Sequence, residues 1–584
     1  MAEVLVARVA RWAREIPSAP AFTFVDYLGD GARHTLTWGQ VDLRARALAV
    51  RLRELARPGD RAAVLAPQGL DYVVAMVGCM YAKVIAVPLF APGLPGHADR
   101  LTRSYADASP AIVLTTSAAL DGVRAFLEDA PAPKEVVVLD AVSSLLADEF
   151  EPVALGRDDL AYLQYTSGST RMPAGVEITH GNILANATQL WEAFDAQPRT
   201  STAALWLPLF HDMGMIATIA LPILGGNHVT FMDPVAFVMQ PVRWLQLLSG
   251  VPDVYTGGPN FAFEYAASRV TPDELAALDL SGVRVMLNGA EPVRPATVRR
   301  FNEVFGPCGL RPSAVTPAYG LAEATVFVSA MHRDLPMRVT AFDREALGEG
   351  RAVPPVGAES VLVSHGKPTG QQVQIVPNNP NNPNNPNNPN NPNNPKGVVV
   401  GEEGGGGGQG EEPFPGGVPE GVVGEIRVRG DNVARAYWRD PERSSEVFVD
   451  GWLRTGDLGV IYDGELYITG RVKDLIIVDG RNHYPQDIEV TVQDASDSIR
   501  RDHVAAFAVP GEETERLVVV AERSRRATAS VDEVVSAVRA AVARNHDLSV
   551  YDVVLTEAGA VPRTSSGKIA RRACQQAYLE GAFV

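Results

Sequence analysis

The run Tyr165-Thr166-Ser167-Gly168-Ser169-Thr170 sets four small hydroxylated side chains, Thr166, Ser167, Ser169 and Thr170, around Gly168. Such a loop can turn backbone N–H groups and hydroxyls together onto phosphate oxygens. Gly175 and the segment Val176-Glu177-Ile178-Thr179-His180 extend it. On its own, a run of this kind is more often a polar turn, so its weight depends on what accompanies it. It is not a Walker loop. No G-x-x-x-x-G-K-[ST] pattern occurs, and Ser566-Gly567-Lys568 lacks the upstream glycine at the required spacing. A P-loop nucleotide hydrolase is therefore disfavoured.

A phosphate loop needs a rigid strand behind it, and residues 160–164 read as that strand. From about residue 60, short apolar runs alternate with helical patterns. Residues 61–66, 84–87, 111–115 and 136–139 are strand-like, with a helix over 70–82. The alternation continues through 203–207, 229–232, 254–256 and 283–287. This pattern predicts α/β layers around largely parallel sheets. After about residue 356 the texture changes to short strands between turns, at 371–376, 424–429 and 466–469, which predicts a small β-rich subdomain. A smaller α/β unit follows from about 474, with segments at 486–493, 505–509, 517–522 and 531–544.

A chain of 584 residues passes the size at which one core stops growing, so two or more domains are expected. Hydrophobic residues make up 46% and charged residues 21%, which argues against a mostly disordered, fibrous or membrane protein. The balance of 52 Lys and Arg against 69 Asp and Glu gives −17, so a general nucleic-acid binder is not expected. Three cysteines cannot staple a chain of this size, and a reducing compartment is the default. Arg8, Arg11 and Arg14 recur at helical spacing near the N-terminus, marking an amphipathic helix rather than a secretory signal. Lys83 and Pro88 break the apolar stretch 73–92, so no membrane span is expected. The expected location is cytoplasmic.

Residues 378–395 repeat Asn-Asn-Pro six times, and 404–408 are all glycine. Proline at every third position excludes helix and central strand. The loop 377–423 reads as a surface turn between two strands that tolerated repeat expansion. Loop entropy grows only logarithmically, by about 0.6 kcal/mol per doubling of length. The competing reading is a docking or spacer element.

The loop and its company resemble a known family. YTSGSTRMPAGV at 165–176 resembles the phosphate loop of adenylate-forming enzymes: acyl-CoA synthetases, peptide-synthetase adenylation domains and luciferases. More narrowly it resembles the fatty acyl-AMP ligase branch. Further matches follow in family order: WLPLFHDMGM at 206–215, NGAEPV at 288–293, AYGLAEAT at 318–325, GWLRTGDLG at 451–459, TGRVKDLIIVDGRNHYPQDIE at 469–489 and PRTSSGKIARRAC at 562–574. The resemblance covers nearly the whole chain. It implies an α/β fold with a large multi-subdomain N-terminal domain, 1–472, and a small mobile α+β C-terminal domain, 473–584, hinged at Lys473.

The implied reaction joins a medium- or long-chain fatty acid to ATP, giving acyl adenylate and pyrophosphate. By resemblance, Thr166, Ser167, Gly168, Ser169 and Thr170 hold the departing phosphates. Many relatives carry Lys where this chain has Ala174; Arg171 is the candidate substitute, and the acyl-AMP ligase branch often lacks this Lys. Glu323 is the implied Mg²⁺ carboxylate, and one Glu suffices chemically because phosphate and water fill the remaining positions. Tyr319 is expected to stack on adenine, with Gly320 letting the ring approach the backbone. Asn288, Gly289 and Ala290 are expected on the opposite face. Asp457 is expected to accept from the two ribose hydroxyls, with Arg471 adding a donor. Lys568 is expected to bridge the acyl carboxylate and the α-phosphate, which suits a point charge on a flexible stem. His211, beside Asp212, either bonds the acyl carboxylate, gates its tunnel, or is a satisfied core histidine. Residues 257–261 and 213–224 are expected to flank the tunnel.

The acyl acceptor is the open point. About residues 330–359 resemble the insertion of fatty acyl-AMP ligases, which packs on the N-terminal domain, and Arg481-Asn482-His483-Tyr484-Pro485 also matches that branch. The branch passes its acyl group to the phosphopantetheine of an acyl carrier protein, in polyketide or lipopeptide assembly. The carrier is expected in trans or within a partner synthase. The alternatives are a fatty acyl-CoA synthetase and a non-catalytic homologue that binds acyl groups or nucleotides.

Overall fold

The computed structural model describes residues 4–93, 97–166, 174–376, 420–478, 481–511, 515–563 and 568–583. The Asn-Asn-Pro repeat and Ser167, Gly168, Ser169, Thr170 and Arg171 lie outside the described residues.

Among the described residues, two large sheets build the body. In the first, Glu135–Val138, Ile112–Thr115, Arg61–Val64, Ile85–Pro88 and Leu160–Tyr165 run parallel, and Gly175–Thr179 closes the edge antiparallel. Ile85–Pro88 and Ile112–Thr115 are buried at every position. Strands apolar on both faces belong inside parallel sheets covered on both sides. Helix Leu70–Ala82 supplies one cover and is buried at all but its first two residues.

The second sheet has nine strands. Its centre is the parallel set Val315–Tyr319, Val283–Asn288, Val254–Gly258, Thr202–Leu205 and His228–Met232. Ligands of open α/β sheets bind outside the carboxyl ends of the strands. Those ends carry Tyr319, Asn288, Gly258 and, from the first sheet, Tyr165, so motifs far apart in sequence meet at one rim.

The β-rich part is a five-stranded antiparallel sheet. Its long strand Trp452–Tyr462 pairs with Glu465–Arg471, in a register that sets Asp457 opposite Arg471. Beyond it, Ile499–Val509, Arg516–Arg523 and Val550–Thr556 form a separate three-stranded sheet. Helices Pro485–Asp494 and Val531–His546 give it its own core, through Ile488, Val492, Val534 and Val538.

The segment resembling the ligase insertion, about 330–359, supplies the first strand of the hairpin Val339–Asp343 and Glu359–Val363, whose second strand runs past its end. Its Phe342, Leu347 and Leu362 share one apolar cluster with Leu458, Val460 and Tyr467 of the five-stranded sheet. It also touches the chain after residue 473, which packing on the N-terminal domain alone does not include. Tyr484 joins the same cluster, the Asn482 amide donates to Gly348 O at 3.0 Å, and the Ser360 hydroxyl donates to Asp487 at 2.7 Å. No helix among the described residues is long and apolar enough to cross a membrane. The stretch 73–92 resolves into the end of helix Leu70–Ala82 and strand Ile85–Pro88.

Candidate active site

A cavity of about 840 Å³ opens between the strand ends, the five-stranded sheet and residues 568–572. Its polar end is organised around two carboxylates. Oδ2 of Asp457 accepts from the Tyr319 hydroxyl at 2.8 Å, and Oδ1 accepts from Arg471 Nε at 3.1 Å. Burial, reinforced by Asp457, pushes the Tyr319 phenol well above its ordinary range, so it stays a donor. Asp457 in turn raises Arg471. Each Asp457 oxygen keeps a second lone pair for a hydroxyl.

Glu323 stands on the short 3₁₀ turn Ala322–Ala324, and its Oε1 accepts from the Tyr437 hydroxyl at 2.7 Å. Burial and the Glu323 charge both raise Tyr437, and the Arg443 guanidinium lies 4.1 Å from its ring centroid. The turn is held tightly. A Cβ on Gly320 would sit 1.6 Å from the carbonyl oxygen of Val326, so only glycine fits there. Thr325 has φ +67°, unusual for a β-branched residue. Its hydroxyl donates to Asn432 O at 2.7 Å. The fully buried Asn432 amide donates to Ala324 O, Phe327 O and Gln371 Oε1 at 3.1, 3.3 and 2.7 Å. A satisfied buried network of this kind fixes one geometry.

Lys568 lines the same cavity, brought there from the far end of the chain. Burial lowers its ammonium below the ordinary range, and the neighbouring Arg471 lowers it further, while Asp212, Glu291 and Asp457 pull the other way. Its charge is thus held among partners of both signs. His211 also lines the cavity, with Nδ1 2.6 Å from Asp212 Oδ1. Burial opposes the Asp212 charge, but His211, the Met213 amide and Lys568 together keep the carboxyl below its usual range.

Of the other residues singled out in the sequence, Thr166, Gly289, Ala290 and Gly320 are on the wall. Asn288 is not. It is fully buried behind the wall, and its amide donates to Asn260 Oδ1 at 3.3 Å. Ser167, Gly168, Ser169 and Thr170 are outside the described residues, though their flanks meet where Thr166 N donates to Ala174 O at 3.3 Å.

The other end of the cavity is apolar. Met213, Ala217, Leu221 and Gly257 line it, in agreement with the two segments expected to flank a tunnel. Ala217 lies on a π-helical stretch, Ile216–Ala220, of the kind that recurs at functional sites. Leu190 and Phe194 complete the arm from helix His180–Phe194 and were not foreseen. Two signals point to them: the Thr179/Asn182 capping box that starts this helix after the hydroxyl-rich loop, and their i, i+4 spacing. Tyr437 and Asn432 had no comparable signal, since their partners lie over a hundred positions away.

A family model described as AMP-binding enzyme matches residues 9–389, and one described as Disco-interacting protein 2-like, AMP domain, matches 473–584. The long-chain-fatty-acid–AMP ligase FadD32 of Mycolicibacterium smegmatis is 42% identical, over 99% of this chain and 95% of its own. A chain solved in a study of the fatty acyl-adenylate ligases of E. coli and L. pneumophila superposes with a TM-score of 0.82 at 30% identity, covering 99% and 98% of the two chains. The L. pneumophila fatty acyl-adenylate ligase solved with acyl adenylate and pyrophosphate gives 0.72 at 32% identity, covering 99% and 96%.

Proposed function

The chain belongs to the AMP-binding enzyme family, in its fatty acyl-AMP ligase branch, and from that premise we propose how its residues divide the work and what accepts the acyl group. The enzyme activates a medium- or long-chain fatty acid with ATP. A carboxylate oxygen attacks the α-phosphorus, the bond from that phosphorus to the bridging oxygen breaks, and pyrophosphate departs.

Two anions must meet for this to happen, so cations aimed at the forming charge carry most of the catalysis. Lys568 is assigned to the acyl carboxylate and α-phosphate. The observation that carries the assignment is its position in one cavity with Glu323, Asp457 and an apolar arm. Arg471 shares the phosphate side, and Asp457 takes the ribose hydroxyls. Tyr319, Gly289 and Ala290 flank the adenine. Because Tyr319 spends its hydroxyl on Asp457, it orients the ribose carboxylate as well as offering a ring. Thr166, with Ser167, Gly168, Ser169 and Thr170, is assigned to the β- and γ-phosphates. His211 faces the acyl carboxylate, with its orientation fixed by Asp212. Asn288 supports the adenine wall from behind.

Glu323 is the proposed Mg²⁺ ligand. One of its oxygens is steadied by Tyr437, and a hard carboxylate facing phosphate is the donor set this ion takes. When bound, Mg²⁺ neutralises phosphate charge.

The chain divides at about Lys473 into a body and a mobile C-terminal domain, with the hinge absorbing the rotation between half-reactions. The acyl group then passes to the phosphopantetheine thiol of an acyl carrier protein, in trans or within a partner synthase, in a cytoplasmic polyketide or lipopeptide pathway. The insertion supports this acceptor over CoA, because its hairpin joins the body to residues 482–487 and so couples the two parts. Incubation with ATP, a panel of fatty acids, and either holo acyl carrier protein or CoA tests the assignment. Acyl-carrier product with little acyl-CoA is expected, and efficient acyl-CoA formation overturns it.

A further inference from the structure

The loop 289–294 does two things at once. Its first residues, Gly289 and Ala290, form cavity wall, and Ala290 has φ +65°. Its last residue, Arg294, reaches away from the cavity toward the chain beyond 473. The loop itself is clamped to the body. Asn260 Oδ1 accepts from Arg294 N at 3.1 Å as well as from Asn288, and the Glu291 carboxylate accepts from Phe261 N.

From this fixed base the Arg294 guanidinium pairs with the Asp502 carboxylate and donates to Gln493 Oε1 at 3.3 Å. Gln493 Oε1 also accepts from Asp502 N at 2.7 Å. Asp502 has φ +61° and sits where the register of strand Ile499–Val509 shifts. A bulge there re-aims its side chain outward, toward the body. The contact continues toward Lys568. Arg563 donates to Asp502 O, Arg563 bridges to Ile569, and Ala570 N donates to Pro562 O at 2.9 Å. Lys568 directly precedes Ile569 of this bridge. A continuous set of contacts therefore runs from Asn260 through Arg294, Asp502 and Arg563 to Ile569, next to Lys568. Glu291, on the same loop, adds a charge that faces Lys568, Arg294 and Arg563.

We propose that Arg294 is a positioning residue for Lys568: by docking Asp502 and Gln493 it registers the bridge of Arg563 to Ile569, and with it Lys568, against the cavity in the adenylate-forming arrangement. This rests on the assignment of Lys568 to the adenylation step. Arg294 and Asp502 are both partly exposed, so the contact is one that water and salt can replace when the C-terminal part moves away.

The test uses the full chain and ATP–pyrophosphate exchange with a fatty acid. In Arg294→Ala the exchange kcat is expected to fall about 10²-fold, the cost of an ångström-scale misplacement. The KM for ATP and for the acid should stay within about threefold, because Arg294 does not line the cavity. Arg294→Lys, which keeps a charge for Asp502, should recover part of the loss. Asp502→Asn should mimic Arg294→Ala, and the double variant should be no worse than either single one, since both remove the same contact. Exchange near the parental rate in Arg294→Ala, or an additive double variant, overturns the proposal. So does an equal loss in Arg294→Lys accompanied by a lower melting temperature, which marks a merely structural role. Lys568→Ala is the control. If it retains exchange, the assignment of Lys568 fails; if it is dead while Arg294→Ala is normal, only the positioning role fails.

Discussion

The two sides of the cavity are built by opposite means. The body side holds Glu323 and its neighbours with uncharged, buried groups: the Asn432 amide, Gln371 and the glycine-only approach at Gly320. The C-terminal side holds Lys568 through charges at a partly exposed seam, with Arg294 on Asp502. Buried amides are costly to leave unpaired and give one fixed geometry. Half-exposed ion pairs are directional but cheap to exchange for water and salt. Under the proposed division at Lys473, this difference suits one wall that stays and another that leaves and returns to the same place.

Breaking the C-terminal side at Lys568 has the largest expected effect. Lys568→Ala should lower ATP–pyrophosphate exchange by about 10³-fold or more, on the scale of losing a preorganised charge, with thermal melting unchanged. The same lysine sets a pH limit. Burial and Arg471 hold its ammonium below the ordinary lysine range, so exchange should decline as pH rises through that lowered value, earlier than for an exposed lysine. A profile flat to the ordinary lysine range contradicts this.

Breaking the fixed side should look different. Asn432→Ala takes the Asn432 donor from Gln371 Oε1 and one donor each from Ala324 O and Phe327 O, removes one acceptor of the Gln189 amide, and should cost about 2–4 kcal/mol of stability in denaturant unfolding. Activity should fall with stability rather than separately from it. Salt sharpens the contrast: between about 0.05 and 0.5 M, exchange by the parent should slow severalfold, while Arg294→Ala, already slow, should respond less. Gly257→Val narrows the acyl arm, because a Cβ there meets Met213 at 2.9 Å and Leu287 at 3.1 Å. It should shift preference toward shorter acids, by about tenfold in relative kcat/KM. Smallest of all, deleting the Asn-Asn-Pro repeat should leave melting and exchange within error of the parent.

Much of the body was legible along the chain. Apolar runs of three to six residues predict the parallel strands, and the structure has them at 61–64, 85–88, 112–115, 254–258 and 283–288. The strand before the hydroxyl-rich loop starts at Leu160, as its sequence indicates, and runs one residue past 164 to Tyr165, where Tyr165 and Thr166 reach the cavity. Asn288 was read as wall because its neighbours Gly289 and Ala290 are; one residue of strand turns its side chain to the opposite face, onto Asn260. The hairpin at 339–363 was read as packing on one partner and has two, since Tyr484 closes the same apolar cluster.

Periodicity, turn chemistry and ordered motifs lie within windows of a few residues, so the sequence by itself determined the α/β layering and singled out Glu323, Asp457, Arg471 and Lys568, which line one cavity. The tertiary structure decided what each of them leans on. Tyr437 reaches Glu323 across 114 positions, and Arg294 reaches Asp502 across 208. No local pattern specifies such pairs. They exist because the strand ends, the five-stranded sheet and the C-terminal bulge at Asp502 are packed to one rim, and packing is a property of the whole chain.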